Sequence, residues 1–70
     1  MIGDAMRAAR KRCGFSQKML ERKSGVPEST LHKYETGKAM PGLYNLIAIT
    51  DALGISIDEY IGRERFEKKE

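Results

Sequence analysis

Six of the seven glycines, Gly14, Gly25, Gly37, Gly42, Gly54 and Gly62, divide the chain into pieces of mostly about eight to twelve residues. The pieces are rich in helix formers and almost free of the apolar–polar alternation that marks a strand. That rhythm predicts a string of short helices, each stopped by a glycine. With 70 residues there is room for one domain. A chain of this size buries only about 60 % of the surface its unfolded form exposes, so the helices must pack tightly. Cys13 is the only cysteine and His32 the only histidine, so one chain can assemble neither a disulfide framework nor a zinc site. No metal or other cofactor is expected.

The spacing gives five helices. The first covers 2–13, with Ile2, Met6, Ala9 and Cys13 on one stripe. Ser16 caps the second, 16–23, whose apolar anchors are Met19 and Leu20. A short turn of Ser24, Gly25 and Val26 leads to the third, from Pro27 to about Thr36, with proline at the first helical position. The fourth covers 43–53 and sets Leu43, Leu46, Ile47, Ile49 and Leu53 as its apolar face. Ser56 and Glu59 are spaced as a reciprocal capping box for the fifth, which carries Ile57, Tyr60 and Ile61. This is an all-α domain over 1–62, followed by a mixed-charge tail over 63–70 in which Phe66 is the one large apolar residue.

Charge is distributed unevenly. Residues 1–45 hold nine Lys/Arg against four Asp/Glu, a balance of +5, and 46–70 hold four against six, a balance of −2. A polyanion is the partner this asymmetry suits. The longest apolar runs, such as 46–49, are far too short for a membrane span or a signal peptide, so a cytoplasmic protein without a membrane partner is expected. No residue pair is spaced for acid–base, nucleophilic or metal chemistry, and neither an enzyme nor a small-molecule substrate is indicated. Cys13 reads as a packing residue, and the methionines as core or chain ends.

Two short helices around a glycine turn are the content of a helix-turn-helix, in which the second helix protrudes far enough to enter a DNA major groove. At about 100° per residue, Glu28, His32, Thr36, Ser29 and Lys33 share one arc of the third helix. Leu31 and Tyr34 fall on the other side.

Residues 15–20, beginning Phe15-Ser16-Gln17, and residues 24–38, from Ser24-Gly25-Val26-Pro27 to Thr36-Gly37-Lys38, resemble the Cro and lambda-repressor-like (XRE-type) helix-turn-helix family. So do Pro41-Gly42-Leu43 and residues 52–59, from Ala52-Leu53-Gly54 to Asp58-Glu59. The resemblance implies a sequence-specific regulator of transcription, a repressor foremost, that binds double-stranded DNA as a homodimer on a short palindromic site. It also implies residue roles. Glu28, Ser29 and Lys33 match base-contacting positions; Gln17, Lys38 and Tyr44 match positions that grip the sugar-phosphate backbone, and His32 is a further backbone candidate. Arg10 and Glu35 match an internal ion pair. Some relatives act as antitoxins or hold a partner protein, which is the second reading. The stretch 57–66, with Tyr60, Ile61 and Phe66, is the candidate interface for a second copy or a foreign protein. Three residues depart from the family pattern: Glu21 where alanine is favoured, Gly42 where a hydroxyl cap is usual, and Glu28, a negative charge on a face that must approach phosphates.

Overall fold

The computed structural model describes residues 2–63. The tail from residue 64 onward, including Phe66, lies outside the described residues. Five helices follow one another: α1 (Ile2–Arg12), α2 (Gln17–Ser24), α3 (Glu28–Glu35), α4 (Leu43–Leu53) and α5 (Ile57–Ile61). No strand occurs among the described residues. α1 packs on α3 and α5, α2 packs on α3 and α4, and α4 packs on α5. The enclosed core takes Met6 and Ala9 from α1, Leu20 from α2, Leu31 and Tyr34 from α3, Ile49 and Leu53 from α4, and Tyr60 from α5. Val26, between α2 and α3, completes it.

The turn that sets α3 across α2 is held by three hydrogen bonds. Gly25 adopts φ +82°, a left-handed conformation that costs glycine nothing, and its N–H donates to Glu21 O at 2.8 Å. The Ser24 hydroxyl donates to Leu20 O at 2.7 Å and accepts from the Val26 N–H at 3.1 Å. Val26 is thereby turned inward, only 3 % exposed. At the other end of α2, Ser16 Oγ accepts from the Met19 N–H at 3.0 Å, the expected cap.

Gly3 explains why α1 and α3 come so close. A Cβ there would sit 2.7 Å from the Glu35 carbonyl oxygen, a separation real Cβ atoms do not tolerate. Glycine inside a helix costs about 1 kcal/mol relative to alanine. Here it allows backbone-level contact between the two helices.

Several expectations are corrected. Met19 is not an anchor of the core: it is 43 % exposed, and Leu20 alone fills that role on α2. On α4 the expected face was too wide. Leu43 and Ile47 are exposed, while Ile49, Thr50 and Leu53 turn inward. Thr50 is accommodated because its hydroxyl donates to Leu46 O at 2.9 Å. Pro27 is the cap of α3 rather than its first residue, and its carbonyl accepts from the Thr30 and Leu31 N–H groups. The capping box at α5 is one-sided. Ser56 Oγ accepts from the Glu59 N–H at 3.0 Å, but the Glu59 carboxylate faces Arg12 Nη2 at 3.7 Å. Tyr60 cannot contribute to an interface as expected, because it is wholly buried in its own core.

Candidate nucleic-acid interface

α3 divides its residues sharply. Leu31, Tyr34 and Glu35 are buried, and Ser29, His32 and Lys33 are exposed on the other side. Those three meet Gln17, Glu28 and Lys38 around one shallow concavity between the start of α2, the outer face of α3 and the loop that follows it. Six of the seven residues expected to contact DNA are thus brought to one surface. Tyr44, the seventh, does not line it; it stands 84 % exposed in the first turn of α4. Lys38 is fixed just past α3 by its N–H, which donates to Lys33 O at 2.9 Å.

Beneath the concavity lies the Arg10–Glu35 pair. Arg10 Nε donates to Glu35 Oε2 at 2.7 Å and Nη2 to Oε1 at 2.9 Å, a two-point contact. The third nitrogen, Nη1, donates to Phe15 O at 2.8 Å, so the guanidinium also pins the chain between α1 and α2. Both side chains are nearly sealed from solvent, at 7 % and 2 % residue exposure. Burial raises the Glu35 pKa, yet hydrogen bonds from Arg10 and Gln17 outweigh it and hold the carboxyl below its ordinary value. The Arg10 pKa is raised by its hydrogen bond to Glu35, against the opposing effect of burial.

Gln17 links the pair to the surface. Its amide nitrogen donates to Glu35 Oε1 at 3.1 Å. An amide nitrogen carries two hydrogens, so one donor remains for an outside acceptor. The backbone N–H groups of Gln17 and Lys18, in the first turn of α2, lack intrahelical partners as well.

Three features of the surface escaped the reading of the chain. The Glu21 carboxylate accepts the N–H of Glu28 at 3.1 Å and so caps α3 from α2. An acceptor with negative charge suits the N-terminal end of a helix. Lys18 Nζ approaches Glu28 Oε1 at 3.7 Å. Asn45 Nδ2 donates to the Tyr34 hydroxyl at 2.9 Å, joining α4 to α3 behind the concavity. Lys18 and Glu21 are three apart on α2 and therefore neighbours, which is the one signal the sequence offered.

The helix-turn-helix family profile matches residues 6–60. The chain belongs to the helix-turn-helix family. Over 62 residues it is 37 % identical to the cryptic phage CTXphi transcriptional repressor RstR of Vibrio cholerae serotype O1, covering 89 % of this chain and 55 % of that protein. Over 58 residues it is 34 % identical to the SPbeta prophage-derived uncharacterized HTH-type transcriptional regulator YonR of Bacillus subtilis, covering 83 % and 54 %. The chain thus spans about half the length of the curated relatives it matches. Its fold is similar to that of the P22 c2 repressor protein, whose crystal structure is in complex with the synthetic operator 9T. The TM-score is 0.78 at 28 % identity, with 90 % of this chain and 96 % of that one covered. All three are repressors or transcriptional regulators, and none is named for a catalytic activity. No helix among the described residues of this helix-turn-helix domain is long and apolar enough to cross a membrane.

Proposed function

We propose that this helix-turn-helix domain binds double-stranded DNA sequence-specifically in the cytoplasm and represses transcription from a short palindromic operator. The observation that carries the reading is the convergence of Gln17, Glu28, Ser29, His32, Lys33 and Lys38 on the exposed side of the helix after the Gly25 turn. The repressor–operator complex of the similar P22 c2 fold supports it. In this reading Glu28, Ser29 and Lys33 face base edges in the major groove, where each base pair displays its own donor and acceptor pattern. Gln17, His32, Lys38 and Tyr44 contact the sugar-phosphate backbone, fixing register rather than sequence.

One α3 reads too few base pairs for useful specificity, so two copies bind matching half-sites about 34–36 Å apart. Ile57 and Ile61 are half-buried and remain candidates for the contact between copies; Phe66 lies outside the described residues. The test is selection from a random duplex pool followed by footprinting. The reading requires a two-fold symmetric consensus with both half-sites protected. An unselected pool, or a single protected half-site at one-to-one saturation, contradicts it.

A further inference from the structure

Glu28 is held twice by α2. Its backbone N–H donates to Glu21 Oε1, and its carboxylate Oε1 faces Lys18 Nζ at 3.7 Å. Both ends of that ion pair remain open to solvent, with side-chain exposures of 63 % for Lys18 and 42 % for Glu28. Glu28 Oε2 has no partner among the described residues. An ionised carboxylate can only accept hydrogen bonds, and near a polyanion it needs a compensating cation. Lys18 is placed to supply one.

The geometry points to Lys18 as the positioning residue of base recognition: it holds and neutralises Glu28 so that the free carboxylate oxygen accepts from the amino group of a cytosine in the major groove. Cytosine N4 is the base-edge donor that acidic side chains match. The inference rests on the DNA-binding reading above. It separates Lys18 from Lys38, since a lysine that grips phosphate weakens all sequences alike. A Lys18 that acts through Glu28 changes the choice at one base pair.

The experiment uses the full chain and four variants: Lys18→Met, Lys18→Arg, Glu28→Gln, and the Lys18→Met/Glu28→Gln double variant. Fluorescence anisotropy compares the selected duplex with duplexes in which one base pair per half-site is exchanged. The wild type is expected to prefer cytosine by about tenfold at one position, and Glu28→Gln to abolish that preference. Lys18→Met should reduce it by about three- to fivefold, the scale of an exposed ion pair. Lys18→Arg should restore most of it. The double variant should match Glu28→Gln in preference, showing that Lys18 has no effect without the carboxylate. Thermal unfolding of Lys18→Met should stay close to wild type, which separates positioning from folding. If Lys18→Met weakens every duplex equally in both backgrounds, or leaves the cytosine preference intact, Lys18 is a phosphate contact or a bystander and the inference is overturned. If the wild type itself selects no sequence, the DNA-binding reading falls with it, and that failure is visible before any variant is made.

Discussion

α3 carries an ion pair on each side, and the two differ in almost every respect. Glu35 faces inward, sealed at 2 % exposure and gripped at two points by Arg10 with further bonds to Gln17 and Phe15 around it. Glu28 faces outward at 42 % side-chain exposure and meets Lys18 at 3.7 Å, beyond hydrogen-bond distance. A buried pair that loses one partner strands an unsolvated charge, whereas an exposed pair hands its charges back to water. The inner pair therefore belongs to the fold, and the outer one is left open to solvent, where its proposed part is in the choice of base. Gln17 connects them, with one amide hydrogen on Glu35 and its place at the rim of the concavity.

The largest effect should follow from breaking the inner pair. Arg10→Met should cost about 3 kcal/mol at neutral pH, the low end for a broken buried pair, because Glu35 stays buried with only the Gln17 amide at 3.1 Å and the part-exposed Arg7 guanidinium at 3.6 Å left to compensate it. For a domain of this size the thermal midpoint should fall by more than about 12 °C. The pH dependence sharpens the case. Glu35 is held below its ordinary pKa, so its contribution is complete above the unfolded carboxylate value, near 4.3, and is lost as pH falls through the folded value. Wild type should thus lose stability on acidification. In Arg10→Met the buried carboxyl is favoured by protonation, so the gap between the two proteins should narrow as pH falls, first above about pH 4.3 as the variant's carboxyl takes up its proton and then below it as the wild-type pair is lost. A gap that stays constant from pH 7 to pH 3 in denaturation curves would remove the pair from the stability account.

Next in size is the close approach that brings the inner pair together. Gly3→Ala places a methyl group 2.7 Å from Glu35 O and should cost about 1–3 kcal/mol, despite alanine's higher helix propensity. An unchanged or raised melting temperature would mean that α1 shifts freely. Smaller again is Glu21→Ala, which removes the acceptor from the Glu28 N–H and leaves a smaller side chain between α2 and α3. It should cost about 1 kcal/mol, the usual net worth of one hydrogen bond. A gain in stability would show that close packing outweighs the cap.

The legible parts of this molecule were those set by periodicity and punctuation. All five helices, the Gly25 turn, the Ser16 cap and the polar arc of α3 follow from local chemistry, which short-range spacing expresses directly. The Arg10–Glu35 contact spans 25 positions, and only the family resemblance pointed to it. The faces of α4 were misjudged because a helix with five large aliphatic residues has more apolar surface than its neighbours cover. Leu43 and Ile47 stay outside while Thr50, bonded back to Leu46 O, goes in. Glu21 was visible only as an oddity. Its use depends on α3 crossing α2 so that the Glu28 N–H arrives within 3.1 Å, a fact of tertiary geometry.

The central claim, that the outer face of α3 reads bases, is tested most directly by Lys33→Ala in anisotropy titrations on the selected duplex and its single-exchange variants. Lys33 is exposed on that face, and a lysine can donate to guanine O6 and N7. The account predicts a loss of about 1–3 kcal/mol on the preferred duplex and a relaxed choice at one base pair per half-site, with the salt dependence little altered. Uniform weakening of every duplex, with the base preferences of the wild type retained, would contradict it.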